Sequence, residues 1–148
     1  DIQLNPNHAD AYNNRGISYR NLGQYQNAIN DYTKAIQLDP DAADTYYNRG
    51  NSYGELGQYQ NAINDYTKAI QLDPNEAILA QAYGNRGNGY DYLGQYQRAI
   101  QNLGTAIQLD PDYAWARYIR AFVYRNLGQY TLANAGDAMA CSLDRQYC

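Results

Sequence analysis

Few side chains in this sequence have the types and spacing that catalysis, metal binding or phosphate binding requires. His8 is the only histidine, and it stands alone in the turn before the first predicted helix. A general base or a metal site needs partner side chains that this position lacks. No glycine-rich loop follows a strand, which is the arrangement that binds nucleotide phosphates. The sequence therefore predicts a protein that is not an enzyme and that takes no metal and no cofactor.

The two cysteines leave two interpretations open. Cys141 and Cys148 lie seven residues apart, which is roughly 10 Å of rise along a continuous helix. A disulfide requires Cα atoms within about 7 Å of each other, so the two can pair only if the C-terminal tail folds back. We interpret them as unpaired thiols in the last helix and the tail, and the redox compartment stays open.

The elements that would position a site come from a repeated stretch. Residues 22–40 read LGQYQNAINDYTKAIQLDP, and residues 56–74 repeat them letter for letter. A looser copy runs from 93 to 111, and an eroded fourth copy begins at Leu127. Such a period, of about 34 residues, is typical of stacked helix–turn–helix units.

Each unit is predicted to contain two helices, A and B, separated by a glycine turn. In helix B of the first copy the apolar residues share one helix face, namely Tyr25, Ala28, Ile29, Tyr32, Ala35 and Ile36. Gly23 ends helix A, and Pro40 ends helix B because the residue before proline avoids the α region. The predicted helices are 9–22, 25–38, 43–56, 59–72, 96–109, 114–127 and 130–143, with a further helix A in the third repeat.

The third repeat is longer than the others. It contains three extra residues within 75–81, which is close to one helical turn. We interpret them as an early start of its helix A near Asn75, with Glu76 favoured in the first turn by the helix dipole. The alternative is a bulged loop that exposes Ile78 and Leu79.

The repeated pattern resembles the tetratricopeptide repeat. The matching residues are Tyr12, Arg15, Gly16, Tyr19, Ala28, Tyr32 and Pro40, then Tyr46, Arg49, Gly50, Tyr53, Ala62, Tyr66 and Pro74, then Tyr83, Arg86, Gly87, Tyr90, Ala99, Leu103 and Pro111, and in the last repeat Ala121, Tyr124 and Ala133. The Asn-Arg-Gly triplets beginning at Asn14, Asn48 and Asn85 are similar to the bacterial variety of the repeat.

The resemblance implies an all-α fold, a right-handed superhelical solenoid of antiparallel helix pairs. We expect a single array over 1–148 with repeats near 6–39, 40–73, 74–110 and 111–144. Residues 2–6 match the end of a helix B, so we expect the truncated end of a preceding helix and a parent protein that extends upstream.

The packing between helices is predicted from residue size and charge. Small residues recur where helices A and B must approach closely, namely Gly16, Gly50, Gly87 and Ala121, Ala28, Ala62, Ala99 and Ala133, and Ala35, Ala69, Ala106 and Ala140. The 18 tyrosines are expected to fill the core between them. A partly buried guanidinium needs a partner, so we expect Arg15 and Arg49 to make charge-assisted bonds to Asp31 or Asp65 or to carbonyls at helix ends.

Composition limits the classes of partner. The net charge of −4 over 148 residues does not favour nucleic acid, whose phosphates attract basic surfaces. No run of apolar residues is long enough for a membrane span. We therefore expect a protein or peptide partner, with no nucleic acid and no membrane insertion.

The resemblance implies that the A helices line a concave groove for a peptide or a helix of a partner, and hence a protein-interaction scaffold. The positions that the family places in such a groove are Asp10, Asn13, Asn14 and Ile17, then Asp44, Tyr47, Asn48 and Asn51, then Gln81, Gly84, Asn85 and Asn88. Some relatives clamp a chaperone's C-terminal carboxylate with cations at these positions. The cations are missing here, so we expect no such clamp.

The alternative function is self-assembly into homo-oligomers through the repeat ends. In the last helix Asn134 and Asp137 replace apolar or aromatic residues of earlier repeats, and a polar outer face is typical of a terminal repeat. We therefore expect any oligomer to use the N-terminal face.

Helix A of the fourth repeat carries an aromatic patch. Its groove positions are Trp115, Tyr118, Ile119 and Phe122, and they include the only tryptophan and the only phenylalanine. Exposed aromatic patches mark interaction sites, so we expect this patch to anchor an apolar side chain of the partner. Two alternatives remain: the C-terminal tail covers the patch, or a register shift turns the rings inward.

Overall fold

The computed structural model describes residues 8–72 and 75–148, and these form α-helices with one terminal 3-10 helix. The helices are α1 (Ala9–Asn21), α2 (Tyr25–Leu38), α3 (Ala43–Glu55), α4 (Tyr59–Gln71), α5 (Glu76–Tyr92), α6 (Tyr96–Leu109), α7 (Ala114–Asn126) and α8 (Tyr130–Leu143), followed by η1 (Arg145–Tyr147). The prediction of an all-α fold is confirmed, with helix ends close to those expected. The predicted helix end at 2–6 lies outside the described residues.

The helices pack in two compact units, whose described parts are 8–72 and 75–148. In the first unit α1 packs on α2, α3 on α4, and α2 on α3. In the second unit α5 packs on α6, α7 on α8, and α6 on α7, while η1 contacts both α7 and α8. Each unit therefore contains two consecutive helix pairs, as the repeat period predicts.

A glycine turn joins the helices of each pair. Gly23 has a φ of +71°, a conformation that a side chain disfavours. The Gly23 N–H donates to the carbonyl of Arg20, and the Gln24 N–H donates to the carbonyl of Tyr19. These are the two hydrogen bonds of a Schellman motif, and they satisfy carbonyls that the helix end leaves free.

The third repeat starts its helix A early, as predicted. The side chain of Asn75 caps α5 by accepting a hydrogen bond of 3.0 Å from the Ile78 N–H. Glu76 occupies the first turn of the 17-residue helix. The three extra residues therefore extend the helix, and the bulged loop that would have exposed Ile78 and Leu79 is not formed, since both side chains are half-buried.

Small residues make close contacts between helices A and B possible. Where one helix carries a large side chain at the contact, the other carries a glycine. A Cβ on Gly50 would lie 2.8 Å from the ring of Tyr66. In the fourth repeat the residue equivalent to Tyr66 is Asp137, and the residue equivalent to Gly50 is Ala121. There Gly136 is the residue without space for a side chain, since its Cβ would lie 2.9 Å from that of Ala121.

The predicted arginine–aspartate pairs are confirmed. Arg15 donates from Nε and Nη2 to the two carboxylate oxygens of Asp31, at 2.6 and 2.7 Å. Arg49 binds Asp65 in the same bidentate way at 2.7 and 2.8 Å and also donates to the Thr33 hydroxyl. Such fork-like pairs to a carboxylate are strong and directional, and the hydrogen bond to Asp31 raises the pKa of Arg15.

The pairing changes in the second unit. Arg86 donates to the amide oxygen of Asn102 at 2.8 Å, and burial lowers the pKa of Arg86, which faces a neutral amide instead of a carboxylate. In the fourth repeat Gly136 replaces the carboxylate, because Ala121 leaves no room for a Cβ there. At these equivalent positions an Arg–Asp pair thus forms in the first and second repeats.

The aromatic core contains one buried hydroxyl without a partner. Tyr32 is fully buried and its hydroxyl makes no hydrogen bond, whereas the hydroxyl of Tyr66 donates to Asn51 at 2.9 Å. The difference arises because Ile17 stands where the second repeat has Asn51. Burial raises the pKa of Tyr32 to about 12.

Replacing each of these tyrosines by phenylalanine should therefore give different results. Tyr66→Phe removes a hydrogen bond and leaves Asn51 with less to bind, and we expect a loss of about 1 kcal/mol in the free energy of unfolding. Tyr32→Phe removes an unsatisfied hydroxyl and should be neutral or slightly stabilising. Denaturant unfolding of both variants measures the difference, and an equal loss in both would contradict this account of the core.

The unpaired-thiol interpretation of the two cysteines is wrong. Cys141 and Cys148 form a disulfide, with their Cα atoms 4.6 Å apart. The helical rise of roughly 10 Å does not apply because α8 ends at Leu143 and η1 turns the chain back. The helix end itself was predicted, since Leu143-Asp144 repeats the Leu-Asp that ends the earlier B helices. The sequence therefore already places residues 144–148 outside the last helix.

Candidate binding surface

In the first unit, α1 and α3 bring polar amides together. The side chain of Asn48 donates to the amide oxygen of Asn13 at 3.5 Å, a long hydrogen bond between neighbouring repeats. Asn14 lies one residue further along α1 and is exposed. A carboxamide both donates and accepts hydrogen bonds, so this face can bind a peptide backbone without reading its side chains.

Two other residues of the first unit that were predicted to line the groove, Tyr47 and Asn51, contact the core instead. Asn51 accepts the hydroxyl of Tyr66, and the ring of Tyr47 lies 6.0 Å from the ring of Tyr66. Both Tyr47 and Asn51 are half-buried. Their side chains hold Tyr66 in place, which leaves the amides of Asn13, Asn14 and Asn48 as the polar part of the face.

In the second unit, α5 presents half-buried amides and one close helix contact. Asn85 and Asn88 are half-buried, and a Cβ on Gly84 would lie 3.0 Å from the ring of Tyr113 and 3.2 Å from that of Trp115. Those two rings lie 5.6 Å apart. The rings of Tyr113 and Trp115, at the start of the following helix A, thus pack closely against Gly84.

The aromatic patch on α7 divides into a buried and an exposed part. Trp115 and Ile119 pack against the core of the second unit, so Trp115 also serves the fold. Tyr118 is 38% and Phe122 43% exposed, and the two lie four residues apart on one helix face. The exposed pair, Tyr118 and Phe122, is called the α7 pair below.

The tail, which was one expected cover of the patch, reaches this surface through Tyr147. Its ring stacks on Tyr118 with the centroids 5.1 Å apart, because the disulfide brings the tail back over α7. Tyr118 nevertheless keeps 38% and Phe122 43% of its surface exposed, so the tail stacks on the patch without burying it.

The tail and the last helix pair enclose a pocket of about 480 Å³. Its lining residues come from α7, α8 and the tail, namely Tyr118, Arg125, Asp137, Gln146, Tyr147 and Cys148. Arg125 and Asp137 form an ion pair across it, while one carboxylate oxygen of Asp137 is buried without a hydrogen bond. Burial raises the pKa of Tyr147.

The described residues contain no cluster of histidine, cysteine and acidic side chains that could hold a metal ion. Over 8–72 and 75–148, no helix combines the length and the apolar character that a bilayer span needs. The predicted oligomer contact uses the N-terminal face, at the helix A of the first repeat. It stays a prediction.

Sequence comparison matches most of the chain to one kind of repeat. Residues 17–57 and 87–128 match the family model of the TPR repeat. Residues 43–76 and 2–30 match two models of the tetratricopeptide repeat. A search of the curated proteins finds no match to the chain.

Solved structures show similar folds. The crystal structure of MamA is similar with a TM-score of 0.88 and 25% identity, covering 98% of this chain and 83% of MamA. The second TPR domain of human RPAP3, solved in complex with the HSP70 peptide SGPTIEEVD, has a TM-score of 0.73 and 30% identity over 78% of this chain and 93% of that one. The Arabidopsis OM64 TPR domain has a TM-score of 0.75 and 28% identity, covering 80% and 95% of the two chains.

Proposed function

Because this chain belongs to the tetratricopeptide repeat family, whose members are protein-interaction scaffolds and not enzymes, we propose that it binds a peptide or helix of a partner protein on its A helices. Each unit offers its own A-helix face, formed by α1 and α3 in the first unit and by α5 and α7 in the second. The observation that carries this proposal is the exposed α7 pair, Tyr118 and Phe122.

The α7 pair supplies the apolar anchor of this surface. The equivalents of Phe122 in the first three repeats are Ile17, Asn51 and Asn88, so an aromatic ring occupies this position only in the fourth repeat. An aromatic ring left 43% exposed gains most from a partner that removes its remaining surface from water. An aliphatic or aromatic side chain of the ligand fits this role.

The amides supply hydrogen bonds to the ligand's backbone. Asn14 is exposed, and Asn13 and Asn48 already lie within hydrogen-bond distance of each other. Their carboxamides can exchange a long mutual bond for bonds to a peptide. Such bonds can hold and orient a peptide backbone on the face of the first unit.

The ligand differs from the chaperone tail seen with RPAP3. That domain was solved with a peptide ending in an acidic Glu-Glu-Val-Asp sequence. The positions here that match the family's carboxylate clamp are uncharged, namely Asn13, Ile17, Asn48, Gln81 and Asn85. A carboxylate desolvated without a cationic partner is costly, so we propose a neutral or apolar peptide segment as the ligand.

Substituting Phe122 tests the anchor. Peptides selected from a display library on the wild-type protein should carry an apolar residue, and Phe122→Ala should weaken their binding by about 30-fold, or ~2 kcal/mol. Because Phe122 is exposed, the same substitution should leave thermal stability almost unchanged. Isothermal titration calorimetry and thermal unfolding measure the two quantities. The peptide SGPTIEEVD is expected not to be selected or bound.

The matched control is Tyr130→Ala. Tyr130 is 62% exposed and lies at the start of α8, away from the A-helix faces, so its loss should leave peptide binding unchanged. If Phe122→Ala bound the selected peptides as tightly as the wild type does, the proposed site would be wrong. A large loss of stability would instead assign Phe122 to the fold.

A further inference from the structure

The C-terminal tail lies where the following helix A lies in the preceding repeat. Gly84 and Tyr118 are equivalent positions of consecutive repeats. Gly84 is covered by Tyr113 and Trp115, which come from the start of the next helix A. Tyr118 is covered by Tyr147, which comes from the tail. An aromatic ring from the chain that follows thus covers the same position in both repeats.

The tail makes few contacts that could hold it in place by themselves. Asp144 accepts hydrogen bonds from the backbone and side chain of Gln146, and these lie within the tail. Against the helices, the tail makes the Tyr118–Tyr147 stack and a weak contact from the Cys148 sulfur to the carbonyl of Cys141. One aromatic stack is a small gain compared with the entropy lost by ordering several residues. The Cys141–Cys148 disulfide therefore supplies the missing constraint.

We propose that the Cys141–Cys148 disulfide is a redox-sensitive latch that holds the tail as an autoinhibitory strap over Tyr118, and that its reduction opens this end of the α7 pair to a partner. This inference rests on the proposed function, because it concerns access to the same surface. The oxidised protein offers Phe122 and the part of the Tyr118 ring that Tyr147 leaves exposed, and the reduced protein offers the stacked face of Tyr118 as well.

The opening step is a thiol–disulfide exchange with a dithiol reductant. A thiolate of the dithiol attacks one sulfur of the bond, and the other cysteine leaves as a thiolate. The second thiol of the reductant then displaces the protein sulfur from the mixed disulfide. The protein gains two thiols, the reductant becomes a cyclic disulfide, and the two electrons pass from reductant to protein.

The occupant of the opened surface is the first turn of a helix that carries aromatic side chains. The two residues that cover Gly84, Tyr113 and Trp115, have this character, and so does Tyr147 over Tyr118. A second copy of this chain fits less well, because its first helix offers His8 and Asp10 at the positions of Tyr113 and Trp115. The partner is therefore a different protein with an aromatic helix start.

The first arm of the test needs no ligand. Nuclear Overhauser contacts between the rings of Tyr118 and Tyr147 should be present in the oxidised protein and absent after dithiothreitol. The variant Cys141→Ser/Cys148→Ser should behave like the reduced protein, and far-ultraviolet circular dichroism should show the same helix content in all forms. Ring contacts that survive reduction would overturn the latch. Should the double variant fail to fold, reduction of the wild-type protein still decides.

The second arm uses a labelled peptide of residues 111–126, the segment that places Tyr113 and Trp115 on Gly84. Fluorescence anisotropy should show at least about tenfold tighter binding to the reduced than to the oxidised protein, because a closed strap lowers the binding-competent fraction. Tyr147→Ala should bind tightly in both states, since it removes the covering ring and keeps the disulfide. A peptide with Tyr113→Ala and Trp115→Ala is the matched control.

The outcomes separate this inference from the proposed function. Equal affinity of the 111–126 peptide for both redox states would overturn the gating by the strap, even if Phe122→Ala still weakens the selected peptides. Unchanged binding in Phe122→Ala would overturn the proposed function, even if reduction frees the tail.

Discussion

The Asp65→Ala variant is expected to lose about 3 kcal/mol in the free energy of unfolding. The side chain of Asp65 is 8% and that of Arg49 16% exposed, so the substitution leaves a cation in a largely buried place without its carboxylate. Breaking a buried pair by removing one partner typically costs about 3–5 kcal/mol, and we take the lower end because Thr33 still accepts from Arg49. Denaturant unfolding followed by circular dichroism measures the loss.

The chain contains its own control for this prediction. Asp31 has the same neighbours in sequence as Asp65, since 22–40 and 56–74 are identical. Its partner Arg15 is 44% exposed, and water can solvate the guanidinium when the carboxylate is gone. Asp31→Ala should therefore cost only about 1 kcal/mol. Equal losses in the two variants would show that burial of the arginine does not set the cost.

Removing both charges gives a second check. Arg49→Leu/Asp65→Leu leaves no unpaired charge, and replacing a buried ion pair by apolar side chains is often neutral or stabilising. We expect the double variant to recover most of the stability that Asp65→Ala loses. A double variant as unstable as the single one would mean that the pair contributes geometry that apolar packing cannot replace.

The Gly50→Ala variant is expected to lose about 1 kcal/mol net in the free energy of unfolding, because the new side chain overpacks the core. Its Cβ would lie 2.8 and 3.0 Å from two ring carbons of Tyr66, whose side chain is buried and bonded to Asn51. Overpacking of this kind typically costs about 1–3 kcal/mol, and it must outweigh the gain of about 1 kcal/mol that alanine brings to a helix interior. Thermal or denaturant unfolding gives the sign directly.

The matched control lies on the same helix. Gly54 is also in α3, but a Cβ there would meet only the Tyr66 hydroxyl at 3.8 Å, an ordinary contact. Gly54→Ala should therefore stabilise the protein by up to about 1 kcal/mol through helix propensity alone. Opposite signs for two glycine-to-alanine changes four residues apart are the expected result. Stabilisation by both would show that the Tyr66 ring can move aside.

The sequence alone determined the elements of this protein. The repeat period, the apolar stripes and the Gly and Pro punctuation predict the helices, because these signals act over a few residues within one helix or turn. Local chemistry also predicted the early start of α5 at Asn75, since capping is made within a single turn. The aspartate partners of Arg15 and Arg49 could also be predicted. Both arginines stand where the family usually has an apolar residue, and a partly buried guanidinium needs a partner.

Only the tertiary structure decided what each element does with its neighbours. The identical stretches 22–40 and 56–74 place Tyr32 without a hydrogen-bond partner and Tyr66 with one. The two stretches also contain Asp31 and Asp65. Asp31 pairs with an exposed arginine, Arg15, whereas Asp65 pairs with the largely buried Arg49. Identical sequences can differ in this way because burial and hydrogen bonding depend on residues far along the chain.

The same reason applies to the candidate site. Trp115, Tyr118 and Phe122 share one helix in the sequence, but Trp115 packs on Gly84, Tyr147 stacks on one face of Tyr118, and Phe122 is exposed. Residue types placed these rings on one helix. The helix that passes beside each ring, and a tail closed by a disulfide, decided which ring a partner can reach.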